Sequence, residues 1–146
     1  MEIQIRLDRK IPGVQKKMLL GMMTTVLKDL GYDDRELSVL FTDNDHIAQL
    51  NKRYRNREGP TNVLAFPMSG GGPSDIESGM LGDVVISVDT AIKESLDIDE
   101  PIEITINRLL IHGILHLLGF DHEQSSKDDE IMRKEEKRLF ALIQED

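Results

Sequence analysis

The sequence predicts an α/β (α+β) fold, a small mixed sheet of about four strands covered by helices, and three observations carry that prediction. Short apolar runs of period two alternate with longer stretches whose apolar residues recur at every third or fourth position. Those segments follow the order strand, helix, strand, helix, two strands, then helices, which requires a sheet with helical cover. The chain has 146 residues, 39% hydrophobic and 31% charged, the size and balance of one globular domain spanning positions 1 to 146.

Ile3, Ile5 and Leu7 alternate with Glu2, Gln4 and Arg6 and predict a half-buried strand. From Val14 to Leu30 the series Val14, Met18, Met22, Val26, Leu30 predicts a helix, and Gly31 stands where it would end. Met18, Met22 and Met23 on that helix read as core filler. "ELSVLF" at 36 to 41 predicts a second strand. Thr42 or Asp43 can cap a helix running to about Arg55, with Ile47, Leu50 and Tyr54 inward and His46 facing solvent. "TNVLAF" at 61 to 66 and "LGDVVISV" at 81 to 88 predict two further strands. The stretch "PMSGGGPSDIESG" between them lacks the Gly-Lys-Ser/Thr of a phosphate loop and reads as a mobile connection. A short helix is expected over 89 to 97, a longer one from Pro101 to near Leu118, and a charged amphipathic one over 125 to 143.

No apolar run is long enough to cross a bilayer, and the charged start "MEIQIRLDRK" has no apolar leader core, so a cytosolic protein without a membrane partner is expected. The absence of cysteine leaves histidine and carboxylate as the only strong ligands for a metal. The net charge of −9 opposes nonspecific binding of polyanions, DNA included. Lys52, Arg53, Arg55 and Arg57 nevertheless concentrate four cations within six residues, enough for a local basic patch.

Three of the four histidines lie in "HGILHLLGFDH" at 112 to 122. On a helix, His112 and His116 project from one face one turn apart, and Gly119 permits the left-handed turn that lets His122 return to the same point. Three imidazoles with a fourth position open to water are the arrangement of catalytic zinc. The spacing matches the extended zinc-peptidase signature H-E-x-x-H-x-x-G-x-x-H, so this stretch is a zinc-peptidase-like metal helix. It departs at one place, Gly113, where the peptidase carries its general base. Asp121 can hold a histidine ring or a water, or can cap the terminal helix; Asp83 reads as a turn residue more than as a carboxylate supporting the site.

"HGILHLLGFDH" closely resembles the H-G-x-L-H-L-x-G-Y/F-D-H signature of the YbeY family. "LNKRYRNREGPTNVLAFP" at 50 to 67 and "LGDVVIS" at 81 to 87 resemble two more of its segments, in the family's order. The resemblance implies a fold related to the zinc peptidases and a single-strand-specific, metal-dependent endoribonuclease acting in rRNA maturation, at the small-subunit rRNA 3′ end, and in ribosome quality control. It implies one zinc ion on His112, His116 and His122, with Arg55 and His112 important for cleavage and the small ribosomal subunit with its proteins as a partner. Where the family often has serine, this chain has Ala65, which excludes a hydroxyl nucleophile there. Arg55 can pair two phosphoryl oxygens, while Lys52, Arg53 and Arg57 either track an RNA backbone or form a solvated helix end. Two other functions compete: a zinc peptidase or amidase, which Gly113 disfavours, and a ribosome assembly factor with a structural metal, which an open coordination position disfavours.

Overall fold

A computed structural model describes residues 2–68, 79–120 and 125–144. In chain order these form β1 (Glu2–Leu7), α1 (Lys16–Leu30), β2 (Glu36–Thr42), α2 (Asn44–Arg55), β3 (Val63–Pro67), β4 (Met80–Ser87), α3 (Val88–Asp97), α4 (Ile102–Leu117) and α5 (Ser126–Gln144). Among the described residues the strands form one sheet in the order β1-β2-β4-β3. β1, β2 and β4 run parallel, which their helical crossovers allow, and β3 returns antiparallel along β4 as an edge. This is the mixed, helix-covered sheet that the order of segments predicts. Among the described residues no helix is long and apolar enough to cross a membrane.

The two faces of the sheet are covered unequally. Leu37, Val39 and Phe41 of β2 and Val84 and Ile86 of β4 point toward α1, α3, α4 and α5 and share one large core with them. On the other face Ile47 of α2 meets Leu64 and Val85 in a small cluster edged by Leu40, Leu50 and Phe66. Alternation along the strands sends neighbours to opposite faces, so Val84 and Val85 belong to different clusters. Helix α4 is the spine of the larger core: Ile106, Leu110, Ile114 and Leu115 are each 0% exposed. Burying each such side chain is worth about 1.5–3 kcal/mol before chain entropy is counted.

Two local devices aim the elements. Between β2 and β4 the register moves from Glu36↔Met80 to Leu37↔Gly82, so Leu81 is an extra residue in a bulge. Gly82 there has φ 139°, and a Cβ would lie 2.3 Å from the Phe66 carbonyl oxygen, which accounts for the glycine of "LGD". At the other end of the parallel strands the starts of α2 and α3 are joined. Asp43 caps α2 by accepting from the His46 N–H at 2.8 Å, and Ser87 caps α3 by accepting from the Thr90 N–H at 3.2 Å. Asn44 Oδ1 accepts from both the Ser87 and Thr90 hydroxyls at 2.6 Å, and its N–H donates to Asp89 Oδ2 at 3.0 Å. The Asn44 amide, and then the Arg9 guanidinium at 2.9 Å, hold the Asp89 carboxyl below the usual carboxylate range.

Several sequence expectations are corrected. Helix α1 buries Leu19, Met23, Val26 and Leu27, while Met18 is exposed and Met22 only partly covered. A constant step of four advances about 40° around a helix each time, so the inner face must mix steps of three and four. Of the three methionines, then, only Met23 is true core. Tyr54 is 56% exposed and does not face inward; its ring meets Phe66 edge-on at 5.4 Å, beyond the small cluster under α2. His46 does not face solvent freely: it is partly buried, its Nδ1 3.0 Å from the Thr42 hydroxyl oxygen. Asp83 is no turn residue but the exposed partner of Ser38 and Phe66 within β4. Most of the glycine-rich stretch expected to be mobile, 69 to 78, lies outside the described residues.

Candidate active site

His112 and His116 stand in the last two turns of α4. The helix ends just past them because Gly119 adopts φ 96°, as its place in the sequence predicts. The Phe120 N–H donates to the Leu115 carbonyl at 3.0 Å and the Gly119 N–H to the His116 carbonyl at 3.1 Å, a Schellman closure. The histidine face is thereby kept at the helix end, where the side chains reach a cleft. Their rings meet edge-on with centroids 4.5 Å apart, and the two Nε2 atoms lie 3.1 Å apart. Two ring nitrogens at that distance must share a proton or a cation. Nitrogens each about 2.0–2.1 Å from one tetrahedral ion stand about 3.3 Å apart, so this donor pair fits a shared metal. His122 and Asp121 lie outside the described residues.

Gly113 stands between the two histidines and is buried. A Cβ on it would come within 2.7 Å of Val84 Cγ1 and 3.2 Å of Val84 Cγ2. The position therefore has no room for the glutamate of a peptidase, because α4 rests directly on β4. The missing carboxylate and the close helix–sheet contact are one fact.

Across the cleft stand the last turn of α2 and the turn that follows. Asn56 ends the helix with φ 55°, a left-handed conformation that asparagine tolerates, and its N–H donates to the Lys52 carbonyl at 3.1 Å. Asn51, 5% exposed, donates from Nδ2 to the Gly59 carbonyl at 3.0 Å and folds residues 56 to 59 back on the helix. Asn51, Arg55, Arg57, Asn62, Ala65, His112, Gly113 and His116 thus line one cleft of about 580 Å³. Of the four clustered cations only Arg55 and Arg57 reach it. Lys52 pairs with Glu58 at 3.3 Å, and the Arg53 guanidinium carbon lies 5.4 Å from the centre of the Tyr54 ring.

A family model described as endoribonuclease YbeY matches residues 3–144. The chain belongs to the YbeY endoribonuclease family. It is accordingly a hydrolase of RNA phosphodiester bonds. Among curated YbeY endoribonucleases, that of Syntrophotalea carbinolica is 43% identical over 145 residues, covering 99% of this chain and 97% of that protein. That of Geobacter sulfurreducens is 36% identical over 99% of this chain and 97% of its own length. The solution structure of TM1509 from Thermotoga maritima superposes with a TM-score of 0.65 over 97% of this chain and 88% of its own, at 24% identity, and shares the fold.

The three YbeY segments noted in the sequence occupy one region for physical reasons. Residues 112 to 120 of the histidine segment supply one wall, "LNKRYRNREGPTNVLAFP" the other, and "LGDVVIS" the strand on which both rest. Sequence reasoning missed two members. Asn51 has no signal of its own in the sequence, because its burial and its bond to the Gly59 carbonyl appear only once the turn after α2 folds back. Glu136 of α5 lies with its Oε2 3.0 Å from His112 Nδ1. Its signal was a carboxylate four residues after Met132 and three before Leu139, inside an otherwise apolar stripe.

Proposed function

We propose that this YbeY-family endoribonuclease acts on single-stranded RNA in rRNA maturation, at the 3′ end of small-subunit rRNA, and in ribosome quality control, as a one-domain cytoplasmic enzyme that works with the small ribosomal subunit. The observation that carries the chemistry is the convergence of Arg55 and Arg57 on the cleft that His112 and His116 enter from the other side. His112, His116 and His122 are the residues that would hold a zinc ion, which when bound supplies Lewis acidity toward a phosphoryl oxygen. Arg55 pairs two non-bridging oxygens of the scissile phosphate and stabilises the charge that builds on them. Arg57 neutralises an adjacent phosphate. Ala65 offers no hydroxyl at its position, and in this reading the attacking oxygen is that of water or of the RNA's own 2′-hydroxyl. A cleft of about 580 Å³ has the size of a small-ligand pocket, which supports a reading in which a short extended stretch of RNA enters it. Gly113, with no space for a base, turns the site away from peptide hydrolysis by the zinc-peptidase route.

The test sets the wild type beside His112→Ala on an end-labelled single-stranded RNA, with metal content measured on both. Cleavage and bound metal in the wild type alone support this reading. Equal cleavage by both proteins would remove the histidines from catalysis.

A further inference from the structure

We propose that Glu136 is a positioning residue for the metal site, acting through His112; the proposal rests on reading His112 as a ligand. A carboxylate can only accept, so its place 3.0 Å from Nδ1 draws the imidazole proton to that nitrogen and leaves the Nε2 lone pair facing His116. An imidazole without such a partner carries its proton on either nitrogen and turns about its χ angles. The contact joins residues 24 apart, on α4 and α5, with side chains 26% and 31% exposed, and it is partly shielded from water.

The carboxylate itself is held in place. Met132 and Leu139, one turn before and one turn after Glu136, are both 0% exposed and lock α5 into the main core. Among the described residues the Glu136 carboxylate forms no ion pair with lysine or arginine, although Lys137 is its neighbour and Arg108 borders the same small cavity. It is committed to the histidine. A carboxylate on the far nitrogen of a ligating imidazole fixes the ring and raises its basicity, and losing it typically weakens metal binding about 10–100-fold.

Metal-free wild type, Glu136→Gln and His112→Ala are titrated with zinc against a chromophoric chelator, and long-range proton–nitrogen spectra report the His112 tautomer in the first two. The expected result is an Nδ1–H His112 in the wild type, a mixed tautomer in Glu136→Gln with the amide spectrum otherwise preserved, and zinc affinity lower by about 10–100-fold. Glu136→Gln binding zinc like the wild type with the same tautomer, while His112→Ala has lost binding, overturns the role of Glu136 and leaves the metal reading intact. His112→Ala binding like the wild type overturns both. Should Glu136→Gln fail to fold, an Nε2–H tautomer in the metal-free wild type overturns the proposal by itself.

Discussion

His112 and His116 ride on a helix whose inner side chains, Ile106, Leu110, Ile114 and Leu115, are completely buried, whereas Arg55 and Arg57, across the same cleft, stand on a helix end and turn of which little more than Ile47 and Asn51 is buried. One wall is the edge of the core; the other is a capped helix end held by hydrogen bonds. The difference shows how the enzyme separates two demands. The nitrogens proposed to hold a metal, which would have to meet it within tenths of an ångström, sit on the most deeply packed element. The guanidiniums proposed to meet the RNA backbone sit where they keep contact with water.

If the walls are independent in this sense, substitutions should separate activity from stability. Arg55→Glu should lower the rate of RNA cleavage by about 10²–10³-fold, through lost charge stabilisation and added repulsion. Its unfolding free energy from urea titration should stay within about 0.5 kcal/mol of wild type, since Arg55 is exposed. An equal loss of stability would show that the arginine wall is part of the core after all. Gly113→Ala should do the reverse. Overpacking against Val84 costs about 1–3 kcal/mol and is offset by about 1 kcal/mol of helix propensity, so a net loss of up to about 2 kcal/mol is expected in chemical denaturation.

The smallest expected effect lies at the root of the arginine wall, where Asp89 ties the start of α2 to α3. Asp89→Asn should destabilise by about 0.5–1 kcal/mol at neutral pH, by weakening the bond from Asn44 and removing the pair with Arg9. The folded pKa of Asp89 is lowered, so its contribution is present above the unfolded value near about 4 and is lost as pH falls through the folded value. Thermal unfolding of wild type and variant should therefore converge on acidification below about pH 4. A gap that persists there would assign the effect to packing and not to charge.

Much of this division could be read from the chain, and what could not shares a cause. Ile3, Ile5 and Leu7 announced a strand, Asp43 a cap and Gly119 a helix stop, because each expresses a rule confined to a few neighbouring residues. That His112 and His116 share one face was legible for the same reason, being a property of a single helix. Glu136 stands out in the sequence only as a carboxylate in an apolar stripe; its partner does not, because it lies on another element and no local pattern encodes the meeting of α4 with α5. The crowding of Gly113 by Val84 has the same origin, as does the placing of Asp83 on the sheet face away from α4. Tyr54 and Met18 were misplaced by a subtler error: periodicity finds the apolar side of a helix but not where the sheet beneath it stops.

The glycine contact between α4 and β4 also dictates how the cleft can move. With Val84 pressed against Gly113 and the neighbouring apolar turns sealed, the histidine helix cannot rise without uncovering the core, a transition close to global unfolding in cost. The last turn of α2 and the turn after it are held by hydrogen bonds more than by apolar burial, among them Asn51 Nδ2 to the Gly59 carbonyl and the Ser87 N–H to the Asn62 carbonyl. Of the two walls, then, the one that carries Arg55 and Arg57 has the less apolar burial to lose if the cleft widens.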